Sequence, residues 1–283
     1  MKFSAAAYYA RSVPNLLWHV SPRNKVVALF TGQKLSEPLA IRLRPSGLQF
    51  RVRTAMDVWV IKETCLDHDY EGLRNRISST ETVNTPDRRN PISRDSMTLQ
   101  DNWSIIDVGA GLGDFTAYAA QRSPHGRVLA YEPFPESFAL LQQNVALNKL
   151  SNVAASPCAI AARPGSLALN VGLGEAVQHS TTQAGVHTIE VQAITLQQVF
   201  DEHGLERCDF LKMDIEGGEY AILQGVDANL LKRVQRIALE YHDNTPAGKH
   251  DELGRLLQDH GFQVQMRPNP VHDYLGYLYA VRD

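Results

Sequence analysis

IIDVGAGLGDFT, residues 105–116, decides how the rest of the chain is read. A short apolar run carries Asp107 into Gly109-Ala110-Gly111-Leu112-Gly113, and a helical pattern starts at Asp114. Three glycines in five residues remove the side chains that would keep a ligand away from the backbone. A strand, a glycine turn and a helix in that order put the turn at the carboxyl ends of an open sheet, where α/β proteins bind ligands.

Working outward, the chain after residue 100 alternates regularly. Strands are predicted over 103–109, 126–133, 152–160, 208–217 and 234–243, and helices over 114–123, 135–150, 196–203, 219–226 and 249–261. Such alternation means a mostly parallel sheet covered by helices on both faces. Two strands with no helix between them, 262–266 and 274–282, predict a terminal hairpin whose last strand is antiparallel. The segments 166–171 and 187–194 read as an inserted strand pair around a polar, glycine-containing loop.

Residues 1–100 are less regular and read as an N-terminal α+β extension to a second part, residues 101–283. The first twenty residues read as an amphipathic helix rather than a signal peptide, because Arg11 interrupts the apolar patch. Strands are predicted over 24–30, 39–43 and 48–52, then a helix over 58–73 extending towards 77, then a polar connection over 78–102 with Pro86 and Pro91.

Composition sets limits. The 283 residues are 43% hydrophobic and 21% charged, with net charge −3. This balance suits a globular domain and argues against a nucleic-acid partner, which favours a basic surface. No apolar run approaches the ~20 residues that span a bilayer. Cys65, Cys158 and Cys208 are odd in number and far apart, which predicts neither a disulfide framework nor a zinc site, and points to a reducing cytoplasm. Oligomeric state is not legible.

The next acid at a strand end after the glycines is Glu132, about 20 residues on, where a carboxylate accepts hydrogen bonds from a ribose. A dinucleotide fits poorly: the spacing is G-x-G-x-G, not G-x-G-x-x-G, and Asp114 stands where the last glycine is needed. Asp107 adds negative charge where a pyrophosphate is disfavoured. S-adenosylmethionine fits better, because it pairs a ribose with a cationic sulfonium and ammonium and carries no phosphate.

At the far strand ends stand Asp214 and Glu216, then Glu240, His242 and Asp243. Strand-end carboxylates and a histidine beside a methyl donor are candidates to take an acceptor hydroxyl's proton. Each has a plainer reading as a helix cap, a dipole partner or a loop histidine. A magnesium site built on Asp214 and Glu240 is thin, and no metal is expected. Arg42, Arg44, Arg51 and Arg53 form a basic cluster across the early strands, read first as a solvated outer face and second as a docking patch for an acidic substrate.

Four stretches together resemble the FkbM family of S-adenosylmethionine-dependent methyltransferases: residues 105–116, 127–148, 209–225 and 237–243. The distinguishing marks are E-P-x-P-x-x-F-x-x-L-x-x-N from Glu132 and K-x-D-x-E-G-x-E from Lys212. Glu63 and Tyr70 match a recurring E…Y pattern of the family, and Gly111 departs from its more frequent asparagine. The resemblance implies a Rossmann-like class I methyltransferase fold with a seven-stranded sheet. It implies O-methylation of a hydroxyl on a sugar, glycan or secondary metabolite. The expected cofactor residues are Asp107, Gly109, Ala110, Gly111, Gly113, Thr116, Glu132 and Pro133, with Glu63 and Tyr70 covering the crevice. The expected catalytic residues are Asp214, Glu216, Glu240 and His242. Cofactor binding without turnover, and methylation of nitrogen or a carboxylate, stay open as alternatives.

Overall fold

The computed structural model describes residues 5–72, 92–171, 179–180, 187–244, 248–269 and 271–282. Its central sheet has seven strands, in the spatial order Gln263–Pro268, Leu275–Val281, Arg236–His242, Phe210–Met213, Ser104–Val108, Arg127–Tyr131 and Val153–Ser156. All neighbours are parallel except Leu275–Val281, which runs antiparallel to both strands beside it. The expected α/β fold with a terminal hairpin is therefore present. Ile105 packs into one core cluster while Ile106 and Val108 pack into another, so the strand is buried on both faces. The period-2 alternation of a strand produces this split.

The predicted strand over 152–160 is two pieces. Val153–Ser156 stays in the main sheet, and Ala159–Ile160 beyond Pro157 pairs with His187–Ile194 in a second sheet. Gly165–Val171 pairs antiparallel with His187–Ile194, as the inserted pair predicts; residues 172–178 and 181–186 lie outside the described residues.

The early region corrects two expectations. Arg23–Phe30 is a helix, not a strand. Val26 and Leu29 are buried and Val27 and Phe30 exposed, a spacing of three that suits a helix. The helix predicted over 58–73 begins earlier, at Ala55, under a reciprocal Thr54–Asp57 capping box, and ends at Lys62. A π-helical turn, Glu63–Asp67, a left-handed His68 and a 3₁₀ turn, Asp69–Glu71, follow. Polar anchors override the 3.6-residue period here: Arg267 pairs with Asp69 at 2.7 Å, and Tyr118 and the Leu99 amide donate to Glu71. Residues 73–91, which include most of the predicted polar connection, lie outside the described residues; Arg94–Met97 beyond them is a short helix.

Val20–Ser21, Leu39–Leu43 and Gln49–Val52 form a small antiparallel sheet. Its inner face buries Ile41, Leu43, Phe50 and Val52 in the same cluster as Ile105, Phe115 and Phe210, and Arg42, Arg44 and Arg51 are exposed. Among the described residues no helix is long and apolar enough to cross a membrane.

Candidate active site

The glycine turn closes tightly on its neighbours. A Cβ at Gly109 would lie 1.8 Å from the Asp214 carbonyl oxygen, and one at Gly113 would lie 2.6 Å from Leu141; both residues also have positive φ. Only glycine lets these three chain segments meet. A Cβ at Gly111 would meet nothing within 4 Å, because this residue faces a cavity of about 730 Å³.

Glu132 stands at one end of that cavity. Its carboxylate accepts the Gly111 amide at 2.7 Å and the Phe134 amide at 2.8 Å. Burial pushes it up to about 7, against the pull of those two amides. Each carboxylate oxygen accepts more than one hydrogen bond, so capacity remains for two hydroxyls. Pro133 lines the cavity beside it.

Ala110 and Gly113 belong to the turn, and Asp107 and Thr116 lie beneath it; none of the four lines the cavity. Thr116 donates to Asp107 at 2.6 Å, and Lys212 pairs with Asp107 at 3.2 Å and donates to the Gly109 carbonyl at 2.7 Å. Lys212 and Asp107 are register partners on adjacent parallel strands, which sets their side chains next to each other. Burial alone lowers the Lys212 pKa, but Asp107, Asp214 and Asp114 outweigh it and hold the ammonium charged. These residues brace the turn from below.

The other end of the cavity is acidic. Asp214, Glu216, Glu240 and Glu63 all line it, with Tyr70 and Tyr277. Tyr70 donates to Asp214 Oδ2 at 2.9 Å. Trp59 donates to Glu63 at 2.8 Å, and burial with nearby Asp69 raises Glu63 to about 8. Burial, then Asp214, raises Glu240 well above the carboxylate range. Burial raises Glu216 to about 7 despite His242 nearby.

His242 lies behind this group, 3.4 Å from Glu216 and 3.3 Å from Glu219. Burial opposes its protonation, but Glu219 and Glu216 prevail and lift it to about 10. The imidazole is therefore a buried cation at neutral pH, not a free base. Asp214, Glu240 and His242 bring ligand atoms within 4.8 Å of one another. A divalent ion there would compete with the two ion pairs that hold the imidazole.

The family model for the methyltransferase FkbM domain matches residues 107–264. The chain belongs to the FkbM methyltransferase family. A methyltransferase, sdnD, from Sordaria araneosa is 31% identical over 202 residues, covering 60% of this chain and 77% of that one. The 31-O-demethyl-FK506 methyltransferase FkbM of Streptomyces tacrolimicus is 27% identical, covering 63% of this chain and 79% of its own. Among solved structures, an FkbM methyltransferase from Methylobacillus flagellatus aligns over 91% of this chain and 59% of that one, with a TM-score of 0.48 and 15% identity. Family membership makes the protein a methyltransferase, and its own seven-stranded sheet with one antiparallel strand has the class I arrangement that its motifs imply.

In this FkbM-family protein, several residues outside the expected set have evident roles. Lys212 is one, and a lysine inside the fully buried strand FLKM is a signal in itself, since buried charges are paired. Asp114 lines the cavity, accepts Thr64 Oγ1 at 2.5 Å, and is raised by burial to about 6. Glu219 accepts the Ile215 and Gly217 amides and so shapes the turn after Asp214. Arg53, on the cavity rim, pairs with Asp57.

Proposed function

We propose that the protein transfers the methyl group of S-adenosylmethionine to a hydroxyl oxygen of a small molecule, a secondary metabolite or its sugar. The observation that carries this reading is one continuous cavity lined by Glu132, by the glycine turn and by Asp214, whose backbone packs against that turn. The residues suit the cofactor. Glu132 has acceptor capacity for ribose hydroxyls, Gly111 leaves open space, and Asp114 and Asp214 complement the cationic end. When bound, S-adenosylmethionine supplies an electrophilic methyl group.

The chain's own groups do the rest. Tyr70 occupies Oδ2 of Asp214 and leaves Oδ1 to receive the acceptor's proton. Burial and the neighbouring Asp214 raise Glu240 well above the usual carboxylate range, which lessens its charge beside Asp214. Glu216 and His242 tune that environment. Leu167 and Leu169 from the inserted sheet, with Ile215, Ile222 and Leu275, give the cavity an apolar wall for the body of the acceptor.

Incubation with methyl-labelled cofactor and a pool of hydroxylated metabolites, followed by identification of the labelled product, tests the reading. A methyl ether is expected. A labelled amine or ester would move the acceptor to nitrogen or a carboxylate, and the latter needs no base.

A further inference from the structure

The asparagine that closes the E-P-x-P-x-x-F-x-x-L-x-x-N motif is Asn144, and nothing in the chemistry above uses it. It is fully buried on the helix Pro135–Leu147. Its Oδ1 accepts the Arg51 amide at 2.7 Å, and its Nδ2 donates to the Leu112 carbonyl at 2.8 Å and to the Arg51 carbonyl at 3.4 Å. One turn on, Asn148 repeats half of this pattern. Its Oδ1 accepts the Gln49 amide at 2.9 Å, and its Nδ2 donates to the Gln49 carbonyl at 2.7 Å.

The spacing explains the pair. Four helical residues rise about 6 Å, and two strand residues rise about 6.7 Å. Asparagine amides at i and i+4 therefore meet the free backbone groups of strand residues 49 and 51, which point to the same edge. The two side chains stand in for a missing neighbouring strand and close an exposed edge. Both asparagines hold the small sheet, but only Asn144 also holds Leu112, between Gly111 and Gly113. The strand it holds leads within two residues to Arg53, and then to the helix that carries Trp59 and to the turn with Glu63 and Thr64, all of which line the cavity.

We propose that Asn144 is a positioning residue: its single amide sets the spacing between the glycine turn and the N-terminal cover, so that cofactor binding depends on both at once. This rests on the cofactor occupying the glycine turn. Asn148 is the internal control, since it shares the sheet contact and lacks the turn contact.

The test is calorimetric titration of the full chain with S-adenosylhomocysteine, for the wild type, Asn144→Ala and Asn148→Ala. The expected result is a Kd weakened about tenfold in Asn144→Ala, on the scale of one buried carbonyl left unsatisfied, and changed less than twofold in Asn148→Ala. In the wild type, which avoids any folding defect, NMR should show the Asn144 side-chain amide protons shifting and exchanging more slowly on ligand saturation, with Asn148 unaffected. Equal effects of the two alanines, or an Asn144 amide indifferent to ligand, would overturn the positioning role while leaving the cofactor assignment intact. A wild type that binds no S-adenosylhomocysteine would overturn both.

Discussion

The two ends of the cavity treat their carboxylates in opposite ways. Glu132 is tied to two backbone amides at fixed positions of the fold, one of them inside the glycine turn itself. Asp214 is held through a side chain, the Tyr70 hydroxyl, and Glu216 through the His242 imidazole. Backbone anchors do not titrate and barely move, which suits binding. Side-chain anchors allow protons to redistribute, which suits chemistry. The difference predicts that the two ends separate under mutation.

The largest effect is expected at the acidic end. Asp214→Asn keeps size and the Tyr70 contact but removes the basic carboxylate, so turnover should fall about 10²–10⁴-fold with cofactor affinity nearly unchanged. Steady-state rates beside a binding titration check this, and near-native turnover would shift the base to Glu216 or Glu240.

At the binding end, Glu132→Ala removes the ribose acceptor, for a loss of roughly 2–4 kcal/mol in cofactor affinity. It also strands the Gly111 and Phe134 amides, so the apo protein should melt earlier. Affinity lost without any fall in melting temperature would mean that the two amides find other partners.

A smaller effect is expected from Tyr70→Phe. Losing one hydrogen bond to Asp214 is worth about 1–1.5 kcal/mol, so turnover should fall roughly five- to tenfold. Cofactor Kd measured on the same variant shows whether Tyr70 serves the acid, as its geometry indicates, or the cofactor as well.

The last effect concerns pH and is read in stability rather than in turnover. His242 is raised from 6.5 to about 10, so the folded protein keeps a proton that the unfolded chain releases. That contribution is complete below pH 6.5 and is lost as pH rises through about 10. Melting curves across this window should show the wild type losing stability relative to His242→Gln. Parallel curves would mean that the imidazole is neutral in the folded state.

The regular half of the chain was legible because its elements are long, periodic and punctuated. The glycine turn, Glu132 and the strand ends at Asp214 and Glu240 follow from one pattern of alternation. The early half was legible only in part. Residues 24–30 have the β-branched content of a strand, and only burial at Val26 and Leu29 reveals the helix. The π turn at Glu63–Asp67 and the 3₁₀ turn at Asp69–Glu71 are held by partners distant in sequence, Asp114 for Thr64 and Asp214 for Tyr70, which no local period encodes. The family resemblance groups Thr116 and Asp107 with the cofactor, whereas their hydrogen bond to each other lies inward, under the turn.

The most direct test of a nucleoside sulfonium site at the glycine turn is calorimetric titration of the unmodified protein with S-adenosylmethionine and, separately, with NAD. One site of micromolar affinity, on the order of −7 to −8 kcal/mol, is expected for S-adenosylmethionine, with no heat of binding for NAD. Binding of NAD without binding of S-adenosylmethionine would contradict it.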